Sequence, residues 1–360
     1  MVKFHILMIN IPNFHHLRVN SYPIFILIII LGIITPSLAI TDNPTGSKIE
    51  DPLLNILTTI AVPYDIIRSI TGVDANVESI VDSSTDVHSF EGPTIQQIQN
   101  MLDSDVIFSL GVSGSEPWLE NIVQDNPSLN EKIIPLGNLT EDGYEDPLLD
   151  NEINPHIWMN PNVVKKMVNK ATFSLIELDP VHSTEFSANN ITFQEKLTNL
   201  LIDIESNKTA YFDGLKVVVS HPAYYYLFDL LGIERLATIE DHSGGEPGQS
   251  TIVEIINLMK EENCTLIVTS PQHSDEDALE IARSAGAKIT ELSAIPGIYE
   301  NFQVVDYISM IEHCMIALRN PGDVEPDNNI NGFVSWGIYA LIGLSSIALI
   351  FLSKGKIDAF

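Results

Sequence analysis

Between residues 54 and 318 the chain alternates short β-branched runs with stretches of helical periodicity. The alternation falls into two series, separated by one long helical stretch that contains neither Gly nor Pro. Such a pattern restricts the chain to α/β architecture, because parallel strands need a helix-length crossover between them. In the first series, strands are expected at 57–62, 77–81, 106–110 and 132–136, with a helix over 94–102. The second has strands at 216–220, 236–239, 265–269 and 288–292, with helices at 250–262 and 275–285. In the separator, 184–207, apolar Phe193, Leu197, Leu200, Leu201 and Ile204 fall mostly three or four apart, and Ser183 or Thr184 is offered as its cap. At 1.5 Å per residue this helix would be about 35 Å long, enough to run the length of two lobes. The expected fold is therefore α/β: two parallel-sheet lobes, 40–180 and 211–320, joined by one long rigid helix over 181–210. No internal repeat is present.

Two apolar runs bracket this region. Residues 22–39 follow Lys3 and Arg18 and close with Ser37-Leu38-Ala39. That is the layout of a signal peptide over 1–39, with an uncleaved N-terminal anchor as the rival reading. Residues 333–352 carry no charge and are long enough to cross the hydrocarbon core as a transmembrane helix. Trp336 and Tyr339 suit an interfacial belt, and Lys354 and Lys356 would keep the 353–360 tail in the cytoplasm. Residues 321–332 read as a polar stalk. The expectation is a monomer held at the cell membrane by one C-terminal anchor, its folded part outside. Sequons at Asn138, Asn190, Asn207 and Asn263 fit an exported, glycosylated surface.

The charge narrows the partners. The 360 residues include 48 Asp and Glu against 18 Lys and Arg, a net charge of −30, and no basic face for nucleic acid is visible. With 45% hydrophobic residues the chain is no disordered acidic tail. Two Cys are too few for a disulfide framework or a Cys-rich metal site.

Three of the ten His share one context, a loop after a strand. They are His88 in the 82–93 loop, His156 in Asn154-Pro-His-Ile-Trp-Met-Asn-Pro161, and His221 between Ser220 and Pro222. One such His alone reads as a hydrogen-bonded loop or core residue. Three together, at strand ends where α/β sheets bind ligands, read as a zinc site with a fourth position for carboxylate or water.

From about Asp51 to Leu318 the chain resembles the metal-binding solute-binding proteins of zinc and manganese ABC importers. Thr85-Asp-Val-His-Ser-Phe-Glu-Gly-Pro93 resembles the first ligand loop, and Ser115-Glu-Pro-Trp-Leu119 the Glu-Pro-Trp segment. Asn154–Pro161 is similar to an Asp-Pro-His-Ile-Trp-Leu-Asp-Pro motif, Ser220–Tyr226 to the third ligand segment, and Gly245-Glu-Pro247 to a recurrent Glu-Pro. The resemblance implies His88, His156 and His221 as ligands, with His at the third position favouring Zn²⁺ over Mn²⁺. It also implies a fourth, acidic ligand after the last strand, but Ser293 falls there, leaving Glu291, Glu300 or water. Zinc members of the family often carry a His-rich loop before the second ligand. Here 138–152 is acidic and without His, either a cation collector or a solvated loop. Family lipoproteins carry a Cys after the signal segment. The first Cys here is Cys264, so the C-terminal helix would replace the lipid. Some zinc members have a disulfide in the second lobe, which would pair Cys264 with Cys314; two free thiols are the alternative.

The function implied is capture of extracytoplasmic Zn²⁺ for a separate membrane permease of an ABC transporter, without catalysis. Two alternatives are a cell-surface zinc hydrolase and a surface adhesin. The hydrolase lacks support in the motifs, since neither His-Glu-x-x-His nor Gly-x-Ser-x-Gly occurs.

Overall fold

Each half of the chain builds one four-stranded parallel sheet whose central strands are buried and whose outer strands are partly exposed. In the computed structural model, residues 53–324 are described apart from 86, 88–89, 113, 139–147, 150–151, 241–246 and 274. His88, the Gly245-Glu246 pair, most of the acidic loop, the signal segment, most of the stalk and the 333–352 run all lie outside the described residues. Among the described residues, no helix is long and apolar enough to cross a membrane.

The first sheet comprises β1 (Leu54–Thr58), β2 (Ala75–Ser79), β3 (Val106–Ser109) and β4 (Ile133–Pro135), in the order β2-β1-β3-β4. Its helices are α1 (Ala61–Thr71), α2 (Ile95–Asp103) and α3 (Pro117–Asp125). The strand expected at 57–62 is displaced. It runs Leu54–Thr58, and Ala61 and Val62 already belong to α1. Pro63 explains the shift, because proline is tolerated in the first turn of a helix, where an N–H would be unpaired in any case. The α2 start matches its sequence signal, with Thr94 and Gln97 forming a reciprocal capping box. A two-stranded hairpin, β5 (Leu148–Leu149) with β6 (Glu152–Ile153), then leads to α4 (Pro161–Leu178).

The long separator is α5 (Ser183–Asn207), 25 residues, burying Phe186, Phe193, Leu197, Leu200 and Ile204. His182 occupies its cap position rather than Ser183 or Thr184. The helix packs on α4 and α1 from the first half, and on α6 (Tyr225–Leu231) and α9 (Tyr307–Arg319) from the second. One helix thus shares a core with both sheets.

The second sheet has the order β10-β9-β7-β8, from β7 (Lys216–Val219), β8 (Glu234–Thr238), β9 (Leu266–Thr269) and β10 (Lys288–Glu291). Helices α7 (Gln249–Glu261) and α8 (Glu276–Ala285) complete it, with a hairpin of β11 (Gly297–Ile298) and β12 (Gln303–Val304) before α9. Its two faces feed different cores. Val217, Val219, Leu266 and Val268 join the main cluster that includes α5, whereas Val218 and Ile267 pack with Ile252, Ile255, Met259 and Ile281 under α7 and α8. This division settles the cysteines. Cys314 belongs to the first core and Cys264 to the second, so the sheet stands between them and both thiols are free.

Candidate metal centre

Parallel sheets point the carboxyl ends of their strands the same way, and here the two sets of ends meet at one cavity. Its wall includes Ile60 and Leu110 beyond β1 and β3, His221 beyond β7, Ser270 and His273 beyond β9, and Ala294 beyond β10. His156 enters from the loop before α4. The cavity volume is about 30 Å³. That is room for an ion or one or two water molecules, each of which needs about 10–15 Å³ of such volume.

His156 and His221 come together as expected. Both are buried, at 5% and 2% exposure, and their ring centroids are 5.1 Å apart. The segment carrying His156 is tied to the second half of the chain. Asn154 Nδ2 donates to the Pro222 carbonyl at 2.8 Å, Tyr226 donates to the Asn154 carbonyl at 2.7 Å, and Trp158 Nε1 donates to the Ala294 carbonyl at 2.6 Å. Because Nδ2 must face the Pro222 carbonyl, Asn154 Oδ1 is the atom 2.7 Å from His156 Nδ1. An amide oxygen only accepts, so Nδ1 carries the proton and Nε2 keeps the lone pair a metal needs.

His88 lies outside the described residues, but its neighbours bear on the same place. Val87 lines the cavity, and Phe90 packs edge-on against Trp118, with ring centroids 5.3 Å apart. Trp118 belongs to the Glu-Pro-Trp segment, in which Pro117 opens α3. Glu116 is buried there and accepts from the Leu110 and Gly111 backbone N–H groups at 3.1 and 2.9 Å. Burial pushes its carboxyl above the usual range, against the lowering effect of the bonds from Thr59 and those two amides. Gly111 is required at that turn. Its φ is 70°, and a Cβ would stand 2.2 Å from the Pro135 Cβ.

Neither proposed acid reaches the cavity wall. Glu291 accepts from Asn301 at 3.1 Å on the exposed side, and Glu300 is exposed. Ser293 donates to the Ile295 carbonyl at 2.7 Å and lies 2.9 Å from the Tyr299 hydroxyl.

Two groups absent from the sequence reading stand beside His221 instead. The His273 ring stacks on it, with centroids 4.4 Å apart and planes 17° from parallel. Glu240 Oε2 lies 3.0 Å from His273 Nδ1 and 3.6 Å from His221 Nδ1. Burial opposes ionisation of Glu240, but the neighbouring His221 and His273 imidazoles outweigh that and hold the carboxyl at about 2. A charged group two residues past a strand, and a lone His after Ser270-Pro-Gln, were the signals available in the sequence.

Two α/β units spanned by a single long helix, with imidazoles meeting in an ion-sized cavity at the strand ends, define a two-lobed binding protein. Residues 56–320 match the ZnuA family, the periplasmic component A of the zinc-uptake complex, and the chain belongs to that family. It is 25% identical over 300 residues to the zinc-binding lipoprotein AdcA of Streptococcus pneumoniae, covering 78% of this chain but 58% of AdcA. The chain thus spans little more than half the length of that relative. It is 23% identical over 294 residues to the iron-binding protein YfeA of Yersinia pestis, covering 80% of this chain and 91% of YfeA. The crystal structure of ZnuA shares the fold, with a TM-score of 0.66 at 24% identity over 75% of this chain and 99% of that one.

Proposed function

We propose that this chain captures Zn²⁺ outside the cytoplasm and delivers it to the membrane permease of an ABC importer, without catalysing a reaction. The metal is held by His88, His156 and His221. The 1–39 segment directs export, and the 333–352 helix tethers the binding lobes to the outer face of the cell membrane.

One observation carries this reading: His156 and His221, 65 residues apart in sequence, bury their rings 5.1 Å from each other in an ion-sized cavity. Imidazole donors suit zinc, whereas Mn²⁺ favours oxygen. The relatives' names include both zinc and iron, and the imidazole donors argue against manganese.

Titration calorimetry of the chelator-stripped full chain in detergent tests the proposal, with Zn²⁺ and Mn²⁺ in separate runs. Tight 1:1 zinc binding is expected, with manganese weaker. Zinc must displace protons from imidazole nitrogens, so its affinity should fall as the solution is acidified. Absence of tight binding by either metal would remove the importer reading. Unchanged affinity in His88→Ala, His156→Ala and His221→Ala would remove the site.

A further inference from the structure

The proposed ligands leave a tetrahedral zinc one donor short, and the position where the resemblance expects an acid holds Ser293. Its hydroxyl is engaged with the Ile295 carbonyl and Tyr299. The second sheet offers a different donor. Among the described residues, His221, Glu240 and His273 bring one ligand-type atom each to within 4.8 Å of one another. Ligand atoms around a tetrahedral zinc with bonds near 2.0–2.1 Å stand about 3.3 Å apart, so the stacked His221 and His273 rings must rotate for a nitrogen of each to meet one ion.

The three residues do not occupy equivalent places. His221 and His273 both line the cavity together with His156, whereas Glu240 is not among its lining residues. Its Oε2 lies 3.0 Å from His273 Nδ1 and 3.6 Å from His221 Nδ1, so a small shift is needed to engage the second ring. A carboxylate there favours the tautomer with hydrogen on Nδ1, which leaves the lone pair on Nε2. Asn154 does the same for His156 by a neutral amide. Carboxylate–imidazole–zinc relays of this kind fix ring orientation and raise ligand basicity.

From this geometry we infer that His273 is the fourth protein ligand of the captured zinc ion, and that Glu240 is the positioning residue that orients His221 and His273 toward it. The inference rests on the proposed capture of zinc at His156 and His221. It makes the donor set all-imidazole, with the compensating negative charge one shell out. Such a set selects zinc against manganese through the softness and geometry of nitrogen donors.

X-ray absorption at the zinc edge of the zinc-loaded full chain counts the imidazoles directly. Four are expected in the parent protein. Three with an oxygen would overturn the assignment, without reliance on any variant. His273→Gln should lower the count by one and weaken zinc binding by more than about 100-fold, beyond the range of outer-shell losses. Glu240→Gln should weaken binding roughly 10- to 100-fold with the count unchanged. A His273→Gln protein that binds zinc like the parent, or that loses affinity at an unchanged count, would overturn His273 as a ligand while leaving zinc capture intact. A parent chain that binds no zinc would overturn the capture reading and this inference together.

Discussion

Among the described residues, buried Glu116 in the first lobe and half-buried Glu240 in the second are used differently. Glu116 in the first lobe spends both oxygens on backbone amides, Leu110 on one and Gly111 on the other. Glu240 in the second meets imidazoles, His273 at 3.0 Å and His221 at 3.6 Å. Burial opposes ionisation of both. It prevails at Glu116, whose carboxyl lies above the usual range, and it loses at Glu240, held at about 2. The partners, not the residue type, decide the role. A carboxylate bonded by amides shapes a turn, while one beside imidazoles is placed to bias their tautomers.

The comparison breaks most sharply at the second lobe. His221 is a proposed ligand, so His221→Ala should weaken zinc binding by on the order of 1,000-fold or more, beyond the roughly 100-fold ceiling of outer-shell losses. A competition assay against a chelator of known strength reads this. Asn154→Ala removes the neutral partner of His156 and the tie to the Pro222 carbonyl, and should cost about 10- to 100-fold in zinc affinity. Asn154→Asp keeps the acceptor but loses the donor, so it should recover much of that affinity while remaining less stable to denaturant.

Glu116→Gln asks whether the first-lobe carboxylate is purely architectural. Its amide can accept at one oxygen only, which leaves one of the two backbone N–H groups facing a donor. A stability loss of about 1–3 kcal/mol is expected in urea unfolding, with zinc affinity changed by less than about threefold. A larger affinity loss would erase the distinction between the lobes.

The smallest effect concerns a third carboxylate, remote from the imidazoles. Asp65 on α1 accepts from the Tyr307 N–H at 2.9 Å, at the start of α9. Burial pushes its pKa up to about 6, only partly countered by that bond. The folded state therefore holds the Asp65 proton more tightly than the unfolded chain, for which the ordinary value is 3.8. Its contribution to stability falls as pH rises from about 4 to 6 and stays lower above that. Asp65→Asn should stabilise the chain above pH 6 by about 1–2 kcal/mol, the full shift being discounted for partial exposure, and the gain should vanish near pH 4. Paired urea titrations at pH 5 and pH 8 give the sign.

Much of this architecture is legible in residue patterns. Runs such as Lys216–Val219 and Leu266–Thr269 read as strands because both faces of a parallel sheet are covered, so β-branched residues follow one another without alternation. The α5 stripe is readable because a surface helix must bury one face. The start of α1 was not, since Thr-Thr-Ile-Ala-Val suits a strand as well as a helix entry, and only the pairing of Thr58 with Ser79 and Phe108 ends β1 there. His156 and His221 were found because each sits in a Pro-bounded turn after a strand or before a helix. His273 carries a weaker form of that mark, Pro271 after β9, and Glu240 only its place two residues past β8.

The sequence by itself determined two α/β lobes, a helix long enough to serve both, and imidazoles at the strand ends. Hydrophobic periodicity and proline placement are local properties that survive in one dimension. What only the tertiary structure decided is who stands beside His221. In the sheet order β10-β9-β7-β8, strand β7 lies between β8 and β9, although β9 follows β8 in the chain. The residues leaving β8 and β9, Glu240 and His273, therefore flank the residue leaving β7. Strand order in a sheet is set by crossovers and core packing across the whole lobe, so that neighbourhood exists only once the sheet has formed.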